Sequence, residues 1–382
     1  MSHIPFGKVR AWVFQSALPF WATHGVDAEH GGFLEEVSPT GAPTSVPFKR
    51  VRVMARQLYA FSHGALMGYA PAREVSTMGY EYLVAKARLA DGGWAKQLSR
   101  KGAVIDATPD LYDLAFVLFA LAWRHRLTGE AEPLKLAHET LDFIQTRMRA
   151  EEGFWPTLPF KGVQLQNPHM HLLESCIGAF EATQDERFLV PADELVTLFR
   201  ERLFDGRTLG ERFRPDWKRR IDGDPGRALE PGHHFEWAWI LARYAALRGA
   251  DLSREANALV DFAERFGVDR MSHAVFDAVR DDGVPLKKSS RAWTNTERIK
   301  GWLGVYELAG RDPRPAVASA AALLFDRYFA GAIPGAWVDQ FDGEGAPMTD
   351  AAPASIVYHL LLAFAEMLRL EPALTALDQS RS

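Results

Sequence analysis

The sequence predicts an all-α protein folded as an (α/α)6 barrel, with short β-hairpin loops at one mouth of the barrel. Two observations predict this fold. A glycine-rich, aromatic element recurs six times along the 382 residues, and two alternating kinds of helical segment separate its copies. Six helix pairs, each with one buried and one half-exposed helix, fit a closed inner ring of helices covered by an outer ring. An open solenoid of helix pairs is the alternative, because it produces a similar pattern.

The recurring element combines glycines with one aromatic residue, which serves as its marker. Self-similarity at a fixed period is typical of folds built from copies of one unit, and here the period is about 60 residues. The glycine pairs and the later dipeptides "TG", "KG", "DG" and "EG" predict a short two-stranded hairpin in each copy. The six markers are Phe33, Trp94, Trp155, Phe213, Phe276 and Trp337.

The segments between the hairpins are helical and of two kinds. "DLAFVLFALAW", residues 113–123, is apolar almost all round, which predicts a helix buried on every side. "EPLKLAHETLDFIQTRM", residues 132–148, carries apolar residues at spacings of three and four, which predicts a half-exposed helix. The alternation recurs along the chain, with "EWAWILARYAAL" and "IVYHLLLAFAEML" of the buried kind and "REANALVDFAERF" of the striped kind.

Composition limits the class of protein. No linker or low-complexity tract interrupts the chain, so we expect one catalytic domain over residues 1–382. The net charge of −5, with scattered Lys and Arg, argues against a nucleic-acid partner, and no apolar run is long enough for a membrane span. The single cysteine, Cys176, and an N-terminus without signal-peptide features predict a cytoplasmic protein, which we expect to be a monomer or homodimer.

Polar residues collect where each hairpin leads into the next buried helix. If all six junctions lie at one mouth of the barrel, these residues converge there. His233 and Glu236 are three residues apart and share a helix face, whereas His234 points about a quarter-turn away, which favours His233 as the functional histidine. The candidates are Arg56, Asp110, Tyr112, Asp113, His169, His171, Glu174, His233, His234, Glu236, Trp293, Glu297, Tyr358 and His359.

Structural roles stay open for several of these residues. His359 lies in an apolar helix, where a histidine is ordinarily a hydrogen-bonded core residue. Arg56 and Glu297 could form a structural ion pair, and Trp293 could be core packing. Asp110, Tyr112 and Asp113 are best interpreted as an N-cap and first-turn residues that satisfy helix N–H groups.

The set of candidates suits proton transfer on a polyhydroxylated substrate. Two imidazoles can act as acid and base near neutral pH, an arginine binds oxygens, and a tryptophan presents a flat face to a sugar ring. Zinc-dependent hydrolysis by His171, His233 and His359 is a rival, although no HExxH-type spacing is present. A glycosidase with Glu236 and Glu297 as its carboxylates, and a non-catalytic sugar-binding barrel, are further alternatives.

The motifs resemble those of the N-acylglucosamine 2-epimerase family. "DAEHGGFLEE", "KRVRVMARQLYAFS", "MHLLES", "PGHHFEWAWIL", "RAWTNTERIKG" and "YHLL" match its successive motifs from Asp27 to His359. Members of that family interconvert aldoses and ketoses or epimerise sugars at C2, on an (α/α)6 barrel. The resemblance therefore implies a small-molecule sugar substrate and chemistry without a metal or nucleotide cofactor.

The resemblance also implies roles for individual residues. His233 and His359 form the acid/base pair, and His171 assists at the anomeric end and in ring opening. Glu236 and Glu297 orient the histidines and bind hydroxyls, while Arg56 binds oxygens near the reacting carbons. Trp293 lines the pocket, and Tyr112 and Asp113 are additional binding candidates.

The implied reaction opens the sugar ring, removes the proton from C2 and forms a cis-enediol or enediolate. A proton returned to C1 gives a ketose, and one returned to the opposite face of C2 gives the epimer. The segments "RVRVMARQLY", "PGHHFEW" and "RAWTNTERIK" are most similar to those of family members that interconvert D-mannose and D-fructose. A monosaccharide or disaccharide 2-epimerase is the alternative, and a sulfosugar isomerase also remains open.

Overall fold

The computed structural model describes residues 3–219 and 223–379, and it contains the predicted double ring of helices. Three short π-helical segments, Trp12–Ala17, Phe199–Leu203 and Leu324–Tyr328, extend helices of the outer ring. In chain order the α-helices are α1 (Phe6–Ala11), α2 (Leu18–His24), α3 (Val51–Leu66), α4 (Ala72–Ala87), α5 (Leu111–Thr128), α6 (Ala131–Arg147), α7 (Gln166–Thr183), α8 (Leu189–Leu198), α9 (Gly223–Arg227), α10 (Pro231–Arg248), α11 (Ser253–Gly267), α12 (Ala292–Ala309), α13 (Arg314–Leu323) and α14 (Val357–Gln379).

The inner ring consists of α3, α5, α7, α10, α12 and α14, and the remaining long helices form the outer ring. Inner helices are buried on all sides because both the barrel interior and the outer ring cover them, as the apolar sequence of α5 predicts. Outer helices bury one stripe, and α11 buries Ala256, Leu259, Val260 and Ala263. Left-handed glycines at 129, 249 and 310 end α5, α10 and α12, so that the chain turns back toward the outer ring.

Short strands lie at the mouth where the inner helices begin. They are β1 (Glu36–Val37), β2 (Phe48–Arg50), β3 (Gln97–Ser99), β4 (Val104–Asp106), β5 (Gln164–Leu165), β6 (Arg212–Phe213), β7 (Ala228–Leu229), β8 (Ala278–Arg280), β9 (Pro285–Lys287), β10 (Ser290–Arg291), β11 (Gln340–Phe341) and β12 (Ala352–Pro353). Among the described strands, β3–β4 and β8–β9 pair within one predicted hairpin. Single antiparallel bridges close the hairpin in three further copies, between Val37 and Pro43, Phe213 and Arg219, and Phe341 and Pro347. The other pairs join different repeats, because turn residues mark a chain reversal without fixing the edge on which a strand pairs.

The ring is closed, and the open-solenoid alternative is therefore wrong. β1 pairs antiparallel with β12, with Glu36 opposite Pro353 and Val37 opposite Ala352. The first inner helix, α3, also packs against the last one, α14. The two ends of the repeat series thus protect each other's apolar faces.

The structure corrects the positions of three repeat markers. In every repeat the residue after the marker donates its backbone N–H to a carbonyl at the end of the preceding outer helix. The donors of these bonds are Leu34, Ala95, Trp155, Gly210, Phe276 and Val338. The equivalent residues are therefore Phe154, Leu209 and Val275, not Trp155, Phe213 and Phe276. The position accepts any buried apolar side chain and does not require an aromatic one. Taking an aromatic residue as the marker therefore shifted the register of the third, fourth and fifth repeats.

The barrel interior is a single large hydrophobic cluster that contains residues from Ile4 to Leu374. Cys176 is fully buried in it, and burial raises the pKa of its thiol. Among the described helices, none combines the length and apolar character that crossing a membrane requires.

Candidate active site

A cavity of about 750 Å³ opens at the mouth where the hairpin layer meets the inner helices. All six inner helices contribute side chains to its wall, as the convergence of the sequence motifs predicts. The polar and aromatic residues that line it include Arg52, Arg56, Tyr112, His171, His233, Glu236, Trp293 and His359. A smaller cavity of about 150 Å³ lies at the opposite end of the barrel and contains none of the three cavity-facing histidines, which are His171, His233 and His359.

His233 is held as a cation by carboxylates. It is the third residue of α10, and its Nδ1 lies 3.1 and 3.0 Å from the two carboxylate oxygens of Glu211. Burial by itself lowers the pKa of His233, but Glu211 and Glu230 raise it to about 10. At neutral pH His233 is therefore an imidazolium that can donate a proton from Nε2.

His359 is held in the opposite state. Burial and the nearby cations Arg56 and Lys300 lower its pKa well below the usual value, so the ring is neutral at pH 7. Its Nδ1 lies 2.8 Å from Oε1 of Glu297. An ionised Glu297 can only accept a hydrogen bond, which places the ring hydrogen on Nδ1 and leaves Nε2 as the acceptor. The ring of Trp293 lies 5.3 Å from that of His233 and 5.4 Å from that of His359. One acid and one base thus flank the same indole.

His171 occupies another part of the wall. Its Nδ1 lies 3.0 Å from Oε2 of Glu174, and Tyr358 donates its hydroxyl to the other oxygen of that carboxylate. The rings of Tyr112 and Phe116 lie 5.0 and 4.6 Å from the imidazole. These contacts fix the orientation of His171 without blocking its Nε2 edge.

Arg56 projects into the cavity from an aromatic cage. Its guanidinium carbon lies 4.1 Å from the ring centre of Phe116, with Tyr112 and Tyr358 on other sides. It donates to the hydroxyl of Tyr112 and, at 3.3 Å, to the carbonyl of Ser355, and its Nε has no partner. No carboxylate within residues 3–219 and 223–379 lies at ion-pairing distance of Arg56, so the ion pair with Glu297 is not formed. The guanidinium is therefore a cation available to substrate oxygens.

The two glutamates predicted to bind hydroxyls differ in position. Glu236 lies on the cavity wall, and its Oε1 makes no hydrogen bond. Glu297 is fully buried behind His359 and does not line the cavity. The imidazole of His359 stands between Glu297 and the cavity, and the contact of Glu297 with hydroxyls stays a prediction.

The acidic cluster at the start of α5 is largely structural. Asp110 caps the helix by accepting the backbone N–H groups of Tyr112 and Asp113. Asp113 does not line the cavity; it accepts both the backbone N–H and the side chain of Arg52, each at 3.0 Å, and burial raises its pKa to about 6. Of the two additional binding candidates, Tyr112 lines the cavity and Asp113 lies outside its wall.

The three histidines that could have formed a zinc site are separate. Each belongs to its own cluster with two carboxylates, whose candidate ligand atoms lie within 4.8 Å of one another in the described part of the chain. In the cluster of Glu236, Glu297 and His359, the ammonium of Lys300 already lies 2.8 Å from Glu297. A fixed cation therefore balances those carboxylates, and the arrangement does not match the open three-histidine geometry of a catalytic zinc site.

Sequence reasoning missed Glu211, although a signal for it exists. With the corrected markers, the residue two positions after the marker is Glu35, Lys96, Pro156, Glu211, Asp277 or Asp339. Four of these six are acids. The incorrect marker Phe213 hid this periodicity in the fourth repeat.

The second histidine of "GHH" anchors a hairpin. His234 accepts the backbone N–H of Leu209 at Nε2 and donates Nδ1–H to the carbonyl of Glu230. His169 does the same with Phe154 and Leu165. Burial lowers the pKa of both rings to about 4, so they are neutral. We call His169 and His234 the hairpin-anchoring histidines.

Comparison with known proteins identifies the family. Residues 31–363 match the model of the N-acylglucosamine 2-epimerase (GlcNAc 2-epimerase) family. The chain belongs to the N-acylglucosamine 2-epimerase family. As a member of that family it is a sugar isomerase or epimerase.

Relatives within the N-acylglucosamine 2-epimerase family share most of the length of the chain. It is 32% identical over 381 residues to the mannose-6-phosphate isomerase of Rhizobium meliloti (strain 1021), covering 96% of this chain and 97% of that protein. It is 25% identical over 366 residues to the D-mannose isomerase of Thermobifida fusca, covering 88% of each chain. A crystal structure of D-mannose isomerase superimposes with a TM-score of 0.88 at 21% identity, covering 95% of this chain and 97% of that one.

Proposed function

We propose that this protein is an aldose–ketose isomerase that interconverts D-mannose and D-fructose. The observation that carries the proposal is the pair His233 and His359, which flank Trp293 in one cavity in opposite protonation states. Moving a proton between neighbouring carbons requires an acid and a base that are both competent at the same pH. The names of the two relatives support mannose as the aldose.

The neutral His359 is the base in this proposal. Its free Nε2 takes the proton from C2 of the open-chain aldose, while Glu297 stabilises the imidazolium that forms. His171, which lines the cavity and whose Nδ1 contacts Glu174, assists ring opening at the anomeric carbon. The hydroxyl hydrogen then passes from O2 to O1, and return of the proton from His359 to C1, on the same face of the enediol, gives the ketose.

The imidazolium of His233 and the guanidinium of Arg56 stabilise the enediolate. Negative charge develops on the sugar oxygens as the proton leaves C2, and both groups offer charged donors that need no reorganisation. The aromatic cage around Arg56 lowers the local dielectric constant and so strengthens this interaction. Proton donation by His233 to the opposite face of C2 gives the epimer instead, and 2-epimerisation is therefore the alternative reaction of the same site.

The test is incubation with D-mannose in D2O, followed by NMR, with and without EDTA. We expect D-fructose to form in both arms, with solvent deuterium at C1 or C2. Glucose as the main product would show that the main reaction of the enzyme is 2-epimerisation and not isomerisation. Absence of product and of deuterium exchange across mannose, lyxose, glucose and cellobiose would refute the proposal, and loss of activity with EDTA alone would indicate a metal-dependent enzyme.

A phosphorylated hexose is a second candidate substrate. Lys161 and Arg212 line the cavity, and within residues 3–219 and 223–379 neither has a carboxylate at ion-pairing distance. By contrast, the rim cations Arg52 and Lys96 are each paired with an aspartate. Unpaired cations at a cavity mouth favour an anionic group on the substrate, and the 32% identical relative is named mannose-6-phosphate isomerase.

Comparing kcat/KM for mannose and mannose 6-phosphate separates the two substrates. If the phosphate binds at the rim, Lys161→Ala and Arg212→Ala each raise KM for the phosphorylated sugar by about tenfold and leave KM for mannose unchanged. Equal effects on both sugars, or no preference in the wild-type protein, would rule out a phosphate subsite at these residues.

A further inference from the structure

Lys300 is a fully buried ammonium at the centre of the barrel. It lies on α12, one turn after Glu297, and its Nζ is 2.8 Å from Oε2 of that carboxylate. Across the interior, Oε1 of Glu236 on α10 lies 3.8 Å away. A charge removed from water this completely requires partners of opposite charge, and two carboxylates supply them.

Aromatic rings complete the surroundings of Lys300. Its Nζ lies 4.5 Å from the ring centre of Trp239 and 5.7 Å from that of Tyr358. Lys300 is not among the residues that line the cavity, so it cannot contact a sugar directly. Any effect on the reaction must pass through the carboxylates it touches. The titratable groups that face it are Glu297, Glu236, Glu174, Tyr358 and His359.

Glu297 links Lys300 to the proposed base. One oxygen of Glu297 contacts Lys300, and the other lies 2.8 Å from Nδ1 of His359. Burial and the neighbouring Glu236 raise the pKa of Glu297 well above its usual range, and Lys300 acts against this shift. A protonated Glu297 could donate to Nδ1 and place the ring hydrogen on Nε2, which could then no longer accept a proton.

We propose that Lys300 is a positioning residue whose buried ammonium, 2.8 Å from Oε2 of Glu297, favours the carboxylate form of that side chain. Glu297 then accepts the Nδ1–H of His359, and the Nε2 of His359 stays free to act as the base. The catalytic consequence rests on the proposed function, whereas the effect on the tautomer of His359 does not.

The test compares Lys300→Met with Lys300→Arg and with a matched control. Lys49→Met removes another buried lysine, which pairs with Asp27 at 3.0 Å in the hairpin layer and does not contact the cavity. NMR of protein labelled with 15N-histidine reports the tautomer of His359 whether or not the protein is active. We expect the Nδ1–H form in wild type, Lys300→Arg and Lys49→Met, and the Nε2–H form in Lys300→Met.

Kinetics supply the second readout. We expect Lys300→Met to lower kcat at least tenfold with KM changed less than about twofold, because a base is lost and no substrate contact is removed. The double variant Lys300→Met with Glu297→Gln should be no slower than Glu297→Gln alone, because both substitutions act on His359 through the Glu297 carboxylate.

Three results would overturn the inference. One is an unchanged Nδ1–H tautomer in a folded Lys300→Met. Another is losses in kcat that multiply in the double variant, which indicates a merely structural lysine. If Lys300→Met does not fold, the third result is an Nε2–H tautomer of His359 in Lys300→Arg. That variant retains the charge, so this tautomer would contradict the inference. Inactivity of the wild-type protein on every sugar would refute the proposed function alone, because the tautomer measurement stands independently.

Discussion

His233 and His234 are adjacent in sequence but belong to two different regions of the molecule. The cavity-facing His233 contacts a carboxylate, and its pKa is raised to about 10. The hairpin-anchoring His234 forms its hydrogen bonds with backbone groups, and burial lowers its pKa to about 4. Both rings are buried, so the chemical nature of the partner, and not the degree of burial, decides the charge state of each histidine.

The hairpin-anchoring role of His234 recurs in two other inner helices. His169 and His234 are the fourth residues of α7 and α10, and each bonds the carbonyl four residues earlier. Asn295 is the fourth residue of α12 and makes equivalent bonds to Val275 and Arg291. In α7, α10 and α12 the fourth position therefore carries a side chain with one donor and one acceptor in fixed geometry, and this role does not need a group that titrates.

The largest expected effect comes from removing a cavity-facing histidine. We expect His233→Ala and His359→Ala each to lower kcat for mannose–fructose interconversion by about 100-fold or more, the usual scale for a general acid or base. The measurement is steady-state kinetics, with His234→Asn as the control that keeps its activity. Wild-type turnover in either alanine variant would show that the acid/base pair is incorrectly assigned.

The second largest expected effect is that of Glu211→Gln on the pH profile of kcat/KM. His233 acts as an acid below its pKa, so the activity that it supports is lost as the pH rises through about 10. Without the charge of Glu211 this pKa falls, the alkaline limb of kcat/KM moves to lower pH, and at pH 9 we expect a loss of about tenfold. Glu35→Gln, the equivalent acid of the first repeat, is the control. An unmoved alkaline limb would contradict the assignment of His233 as the acid.

Substitution of a hairpin-anchoring histidine should affect stability more than catalysis. His234→Ala leaves the buried N–H of Leu209 without an acceptor and creates a cavity, and we expect it to lower the free energy of unfolding by about 2 to 4 kcal/mol. Urea unfolding measures this loss. His234→Asn should retain most of the stability, because Asn295 makes the same bonds in the fifth repeat. If asparagine is as damaging as alanine, the two positions are not equivalent.

The smallest effect is on the pH dependence of stability. The hairpin-anchoring histidines have folded-state pKa values of about 4 against an ordinary value of 6.5. The unfolded chain therefore binds protons first, and the stability that each neutral ring contributes is lost as the pH falls from 6.5 toward 4. At pH 5 the loss is about 2 kcal/mol per ring, so His234→Asn should lose about that much less than wild type between pH 7 and 5. Parallel losses in both proteins would contradict this account.

Much of the fold could be predicted because it depends on periodic, local properties. The alternation of fully apolar and striped segments specified which helices form each ring, and glycines specified where chains reverse. The register of the repeat could not be predicted in the third to fifth copies, since Phe154, Leu209 and Val275 are marked by a backbone hydrogen bond and not by residue type. The pairing of β1 with β12, which closes the ring, depends on residues more than 300 positions apart in the sequence.

For the site too, the sequence predicted some side-chain positions and not others. Helical spacing alone placed His233 toward the cavity and His234 away from it, because neighbours on a helix diverge by about 100°. It could not place Glu297 behind His359, or exclude Asp113 from the wall. Those outcomes depend on which side chain is nearer the barrel axis when helices from distant repeats meet.

The sequence by itself thus determined the kind of barrel, the mouth at which its polar groups gather and the family to which its motifs belong. Only the tertiary structure decided that one imidazole is charged and the other neutral. Glu211 reaches His233 from the hairpin segment that precedes α10, while Arg56 and Lys300 act on His359 from two other helices. Protonation follows the electrostatic field of all surrounding charges, and that field exists only once the ring of helices has closed.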